Sequence, residues 1–415
     1  MKLLVISAFY PPHHGGGFGL RCHDVVNGLR SKGHEIHVLT NRCTIEGCQA
    51  HDNETDTLHL LDLKPTGENP LQQIAFDRRE LKKLERVIDR VQPELIYLWH
   101  VQNLSNAILP FLSRQRIPLI FDDGGSELIY LARLQQRGLY FYRNENEPAI
   151  KTRLKQAVRH YARLVSGGRI VPDWQWPGQM RVYFNSRSAL ENARAHGVPV
   201  EGATVISSGL DLDRFPFRER AQLQQPIRIL LPARIKEQKG ALDGLLLVDE
   251  LRRRGVPSRL LIIGEAQSAE YLALLNRNII ELNLGGQIEI RPMADQAEMS
   301  RLYREHDFCF FPSRFKTGFS RVPLEAMASG CLVLTYGNEG SSEAITDKRN
   351  GYIFDEGDYC QIAALIHQIR TNPDHYETIT SNARKCIVEN YSMDRYAESV
   401  ESFLFANSNK VIPYQ

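Results

Sequence analysis

Four places in this chain combine residue types and spacings that could do chemistry. The first is the loop Pro11-Pro12-His13-His14-Gly15-Gly16-Gly17-Phe18-Gly19, which follows an apolar strand and opens a helix. Bare backbone N–H groups there, with the positive end of the helix dipole, make an anion site; a plain tight turn is the alternative. The second is Arg234, at the end of a later strand, with Lys239 five residues on and a helix after Gly240. Two cations at such a junction suit a diphosphate, through charge-assisted hydrogen bonds of roughly 1.5–3 kcal/mol each. With Lys236 and Glu237 between them, a solvated loop of chance charges is equally open. The third is the run from Phe310 to Gly330, in which a strand ends in a loop bearing Gly318 and a helix starts near Pro323. Proline is favoured in the first turn, so Glu325 falls near a helix N-terminus. There it could accept two ribose hydroxyls, or simply complement the helix dipole. The fourth, Gly337-Asn338-Glu339-Gly340-Ser341-Ser342-Glu343, is another glycine loop after a strand.

The elements that must position these groups repeat one pattern twice. Strand Leu3–Ala8, the glycine loop, a helix with Leu20, Val25, Val26 and Leu29 on one side, and strand Glu35–Thr40 form a βαβ unit. Further strands are expected near Thr57–Leu61, at Leu95–His100 and at Pro118–Asp123, with a charged helix over 71–90. Residues 214–226, rich in charge and proline, read as a linker. The pattern then restarts with strand Ile227–Pro232 and helix Ala241–Arg254, whose Leu242, Leu245, Leu246 and Leu251 should point inward. Strands at Arg259–Gly264, Ile288–Arg291, Phe308–Pro312 and Cys331–Thr335 follow. The expectation is two doubly wound α/β domains, 1–213 and 227–391, with a ligand cleft at their strand C-terminal ends. The tail 392–415 should return to the first domain through Tyr396, Val400, Phe403 and Leu404.

Composition narrows the classes. A chain of 415 residues suits two or three domains. A net charge of +2 offers no concentrated basic field, which argues against a nucleic-acid partner. Seven scattered cysteines, with Cys309 and Cys331 inside apolar strands, read as reduced thiols of a cytoplasmic protein. Cys43 and Cys48 lack a second Cys/His pair for metal. The apolar start Met1–Ile6 is a strand and no signal peptide, and no run reaches the ~18 apolar residues of a membrane span. A dinucleotide-dependent dehydrogenase fails on its own fingerprint: Leu20 stands where the third glycine belongs. Asn41-Arg42 stands where an acid should hold the ribose.

Several separated motifs together resemble the retaining GT-B glycosyltransferases of family 4. They are Pro11-Pro12 with Gly15–Gly17, Gly33-His34-Glu35, Ser207-Ser208-Gly209-Leu210-Asp211 before Phe215, and Leu230-Leu231-Pro232-Ala233-Arg234 with Lys239-Gly240. Gly318-Phe319-Ser320 through Pro323-Leu324-Glu325-Ala326-Met327-Ala328 completes the set. The resemblance implies two Rossmann-like domains facing each other across a cleft, and sugar transfer from a nucleoside-diphosphate sugar to an acceptor hydroxyl with retention. It also implies a site that needs neither metal nor cofactor. Arg234 and Lys239 would hold the diphosphate, Glu325 the ribose, and Gly16 and Gly17 would lie near the phosphates. Thr317, Gly318, Phe319 and Ser320 would complete the donor site. His100, at a strand end, would stand near the reacting sugar and, with Arg234 and Lys239, form the catalytic set. The leaving phosphate oxygen would help deprotonate the acceptor on the same face, so positioning and electrostatic stabilisation would carry the reaction.

The chain departs from this family where the first of two glutamates spaced eight apart should fall: position 317 is threonine, preceded by Lys316. A threonine can hydrogen-bond a sugar hydroxyl but cannot stabilise positive charge on the ring. Phe121-Asp122-Asp123 replaces the usual histidine-aspartate near the fifth strand. These departures leave open a catalytically inactive nucleotide-sugar sensor or scaffold of the same fold. A nucleotide-sugar epimerase would need further acidic and histidine groups around one cleft.

The segment 151–176 carries Lys151, Arg153, Lys155, Arg159, Arg163 and Arg169 among Leu154, Val158, Tyr161, Leu164 and Val165, followed by Trp174 and Trp176. Such a helix either rests on an anionic membrane or is solvated on one face and packed on the other. Membrane contact, on the inner face, would suit a lipid-linked acceptor; a glycan or small-molecule acceptor is the alternative.

Overall fold

The computed structural model describes residues 1–12, 17–42, 56–67, 69–137, 139–140, 149–174, 181–219, 223, 225–316 and 318–408. Gly15, Gly16, Cys43, Cys48, Trp176 and Thr317 lie outside the described residues. The chain divides into two compact units, Met1–Ser207 with Tyr396–Gln415, and Ser208–Arg395.

The first unit alternates strands and helices. Its first elements are β1 (Lys2–Ile6), α1 (Gly17–Ser31), β2 (Glu35–Asn41), β3 (Thr57–Leu61), α2 (Pro70–Val91), β4 (Leu95–Leu98) and α3 (Ile108–Leu112). Then come β5 (Leu119–Asp123), α4 (Glu127–Arg137), α5 (Ala149–Val165), β6 (Arg181–Phe184), α6 (Arg187–Ala195) and β7 (Thr204–Val205). Among the described residues the strands form one sheet, ordered β3-β2-β1-β4-β5-β6-β7 and parallel at each pairing. A parallel sheet covered on both faces requires apolar strands, and β4 is buried at all four positions. Helix α2 is set by a capping box: Asn69 accepts from the Gln72 N–H, and the Gln72 side chain accepts from the Asn69 N–H.

The second unit repeats the plan with β8 (Ile227–Pro232), α7 (Ala241–Arg253), β9 (Ser258–Ile263), α8 (Ala269–Glu281), β10 (Ile288–Arg291) and α9 (Gln296–Glu305). It continues through β11 (Phe308–Phe311), α10 (Val322–Ser329), β12 (Leu332–Thr335), β13 (Tyr352–Ile353), α11 (Tyr359–Arg370) and α12 (Pro373–Asn390). Helix α13 (Met393–Ser408) runs from the second unit into the first. The strand order β10-β9-β8-β11-β12-β13 places the reversal of direction between β8 and β11. In such sheets ligands bind beyond the carboxyl ends of the strands at this switch point.

Three local details differ from the sequence reading. Helix α1 begins at Gly17, so the last glycines of the loop are helical. In α7, Leu247 and Val248 are fully buried and Leu246 is half-buried, because the helix packs against both β9 and α11. Residues 208–218 belong with the second unit, where Leu210 and Phe215 are fully buried. Leu210 is bound there on both sides, its N–H donating to Tyr391 O (2.8 Å) and its carbonyl accepting from Met393 N–H (3.0 Å). Tyr396, Ala397, Val400 and Leu404 of α13 are buried, and Phe403 is half-buried.

Candidate donor site and the strand-end residues of the two units

In the second unit the switch point gathers cations. The chain leaves β8 through Ala233, passes Arg234, and makes a single 3-10 turn over Glu237–Lys239. Gly240 closes that turn in the left-handed region (φ 70°); a Cβ there would lie 2.5 Å from Pro312 O. Only glycine satisfies both conditions, and the close approach brings Lys239 over the loop that leaves β11. Lys239 Nζ donates to Glu339 Oε1 and, at 3.3 Å, to Ser313 Oγ. It lies over the rings of Phe311 (5.3 Å) and Phe315 (4.9 Å). Lys236 Nζ stands 4.3 Å from the Phe315 centroid. Burial, and then the neighbouring Arg234 and Lys239, hold its ammonium below the usual lysine range. Arg234 is exposed and, among the described residues, has no hydrogen bond or ion pair. Three cations therefore converge where one buried acid, Glu339, is available to balance them.

The loop after β12 seals against the loop after β11. Asn338 Nδ2 donates to Ser313 O (3.1 Å), and Gly340 N–H donates to Gly318 O (2.9 Å). Gly318 adopts φ 103°, open to glycine and strained for other residues. Phe319 is half-buried against the core of the second unit, and Ser320 Oγ accepts from Val322 N–H at 3.4 Å in front of α10. Glu325, in the first turn of α10, has both oxygens engaged: Oε2 accepts from the buried Tyr303 hydroxyl (3.0 Å), and Oε1 is 3.4 Å from Arg321 Nε. Each carboxylate oxygen has a second lone pair, so this pairing leaves it able to accept a ribose hydroxyl. From the sequence, Ser313 and Glu339 have no role of their own: Lys236 reads as a chance charge and Glu339 only as part of a glycine loop. The fold brings both Lys236 and Lys239 to the Phe315 ring, a meeting between distant parts of the chain that no local signal marks.

The strand ends of the first unit are organised differently. His100 follows β4, with Nδ1 on Glu127 Oε1 and its ring near Phe9 (5.4 Å) and Phe18 (5.3 Å). Glu127 is buried in the first turn of α4, where its Oε2 accepts from the N–H groups of Val101 and Gln102, each at 3.1 Å. Asp123 caps the same helix, accepting from Gly125, Glu127 and Leu128 N–H. Burial outweighs these bonds and raises its carboxyl to about 6. Asp122 faces inward: it pairs with the guanidinium of Arg21 and accepts from the hydroxyls of Tyr183 (2.6 Å) and Tyr396 (3.3 Å). Arg21 also lies over the rings of Phe18 (5.0 Å) and Trp99 (4.6 Å). Asp122 thus ties β5, α1, β6 and α13 together as an internal hub. Gly17 is exposed at the start of α1, and Gly16 before it lies outside the described residues.

Helix α5 packs Val158, Ala162 and Val165 inward and leaves Ile150 (81%), Leu154 (66%), Tyr161 and Leu164 (65%) exposed. Two parts of the basic, tryptophan-bearing reading need correction. Trp174 is buried, its Nε1 donating to Ser113 Oγ at 3.0 Å, because the ring fills the core of the unit. Arg159 and Arg163 lie 3.5 Å and 3.8 Å from Asp173, and Arg169 pairs with Glu85 at 2.6 Å. Among the described residues no helix is long and apolar enough to cross a membrane, and no group of three His, Cys, Asp or Glu side chains could hold a metal ion.

Residues 213–386 match the family described as "Glycosyl transferases group 1". Over 427 aligned residues, covering 98% of this chain and 95% of the relative, the chain is 21% identical to a glycogen synthase of Mycobacterium tuberculosis. It is 29% identical to the amylovoran biosynthesis glycosyltransferase AmsK of Erwinia amylovora over 177 residues, 41% of this chain and 43% of that protein. Among solved structures, Anabaena Alr3699/HepE in complex with UDP-glucose superimposes with a TM-score of 0.70. That match has 17% identity and covers 98% of this chain and all of the other. The chain therefore has the GT-B fold, two Rossmann-like α/β units with parallel sheets, and its residues 213–386 carry the group 1 glycosyl transferase match.

Proposed function

We propose that this protein is a glycosyltransferase that takes a sugar from a nucleoside-diphosphate sugar and passes it to an acceptor hydroxyl with retention and without a metal ion. The observation that carries the reading is the convergence of Arg234, Lys236 and Lys239 beyond β8 and β11, with Arg234 unpaired among the described residues. A departing diphosphate gains negative charge as its bond to the sugar breaks. Fixed cations at that place stabilise the transition state more than the ground state. In this reading the cations do what a divalent ion would do, and Glu325 holds the ribose. The leaving phosphate oxygen takes the acceptor proton on the same face. In this reading His100 would contribute as well: a carboxylate on Nδ1 holds the proton there and leaves Nε2 an acceptor. Gly17, Gly318, Phe319 and Ser320 would line the donor, as would Gly16 and Thr317. The relatives' names point to polysaccharide or glycan assembly as the setting.

The membrane face belongs to this reading. Positions 150, 154, 157, 161 and 164 fall on one stripe of α5, flanked by the exposed Lys151, Arg153 and Arg163. That combination suits shallow insertion into an anionic leaflet and a lipid-linked acceptor. Flotation with vesicles of zwitterionic lipid containing a third of anionic lipid should carry the protein upward, and a Leu154→Glu, Leu164→Glu variant should stay behind. Wild type that stays behind with these vesicles removes this part of the reading.

For the enzyme itself, the test is incubation with a panel of uridine- and guanosine-diphosphate sugars in the presence of a chelator. Release of the free diphosphate, and a product whose anomeric configuration by NMR matches the donor, are expected. Inversion, or activity that vanishes with the chelator, would contradict the proposal.

A further inference from the structure

Glu339 is a buried acid bonded to Lys239 beside Lys236, and its two oxygens differ. Oε1 accepts from Lys239 Nζ and from Ser313 Oγ. Oε2 has no hydrogen bond among the described residues, although the side chain is buried. The side chain is held from both sides. Asn338 before it is bonded to Ser313 O (3.1 Å), and Gly340 after it is bonded to Gly318 O (2.9 Å). Gly337 turns the chain into this loop in the left-handed region (φ 74°). A carboxylate thus stands in a fixed orientation, with one oxygen committed and one without a bond among the described residues. Its loop is bonded to Gly318, the first described residue after position 317.

We propose that Glu339 is the carboxylate that reads the sugar of the donor: Oε2 accepts a sugar hydroxyl while Oε1 stays on Lys239 and Ser313. This rests on the donor reading above. The chemistry separates two ligands that share every other contact. A bare nucleoside diphosphate carries one more negative charge on its terminal phosphate than the same diphosphate bearing a sugar. An adjacent carboxylate repels that extra charge. A sugar hydroxyl instead offers a proton to Oε2, a charge-assisted bond. By occupying Lys239, Glu339 also withholds part of the cationic field from any diphosphate. Glu339 therefore favours the loaded donor and promotes departure of the spent one.

The test is calorimetric titration of wild type, Glu339→Gln and Glu339→Ala with UDP and UDP-glucose, and with GDP and GDP-mannose, each variant first checked for an unchanged melting temperature. The expected signature is a crossing. In Glu339→Ala, affinity for the sugar-bearing ligand falls about 10- to 100-fold while affinity for the bare diphosphate rises. Glu339→Gln, which keeps an acceptor but loses the charge, should fall between. If both ligands weaken together, Glu339 serves only to place Lys239, and the proposal is overturned. Unchanged affinities in both variants overturn it as well. A wild type that binds none of the four ligands defeats the donor reading itself, and this inference with it.

Discussion

The two units end their strands in opposite electrostatic states. Near the end of β5 in the first unit, Asp122 and Arg21 of α1 form a buried pair in which the charges, the hydroxyls of Tyr183 and Tyr396 and two aromatic faces satisfy one another. Beyond β8 of the second unit, three cations meet one acid, and the outermost, Arg234, is left open to solvent. A charge cluster closed on itself holds architecture together. A cluster with surplus charge at a switch point is where the proposed function puts an arriving anion. His100, with Nδ1 on Glu127 Oε1, is likewise held by a buried acid of its own unit.

This contrast can be broken by mutation, and the largest effect is expected inside the first unit. Arg21→Met strands Asp122 as a buried unpaired carboxylate. It should cost about 3–5 kcal/mol in chemical denaturation, while folded molecules retain donor affinity. Arg21→Met with Asp122→Leu should be milder than the single change, because it leaves no orphan charge. In the second unit the pattern reverses. Arg234→Ala should leave the melting temperature nearly unchanged, whereas Lys239→Ala, which takes its cation from the buried Glu339, should lower it; each should cost about 1.5–3 kcal/mol of nucleoside-diphosphate affinity in calorimetry. If Arg234→Ala proved destabilising and Arg21→Met silent, the assignment of architecture and site would be exchanged.

How far the sequence reveals this depends on the distance over which each feature is specified. Strand bounds at Thr57–Leu61, Ile227–Pro232 and Ile288–Arg291 are legible because apolar runs between turn residues are local signals. The cations at 234 and 239 are legible for the same reason: they flank a glycine at a strand–helix junction. Glu339 is not, since its partner Lys239 lies 100 residues away and nothing local marks an acid as paired. The inward face of α7 is blurred because Leu245, Leu246, Leu247 and Val248 are contiguous, so the helix reads as apolar almost all round. Trp174 reads equally well as a membrane anchor or a core ring; its bond to Ser113, 61 residues earlier, decides it. The affiliation of 208–218 depends on backbone bonds to residues 391 and 393, which leave no trace in composition.

Two smaller effects sharpen the picture. Gly240→Ala forces a left-handed non-glycine residue and a Cβ into Pro312 O. It should cost about 1–2 kcal/mol of stability and displace Lys239, seen as weakened diphosphate binding that exceeds the loss in melting temperature. Trp174→Phe removes one buried hydrogen bond, and should cost about 1 kcal/mol with vesicle flotation unchanged.

The most direct test of the central claim is titration of UDP and GDP into the chelator-treated protein and into its Arg234→Ala, Lys239→Ala double variant. Saturable binding of at least one diphosphate without any divalent ion, lost in the double variant, is the predicted result. Binding that requires added magnesium, or that survives removal of both cations, would contradict it.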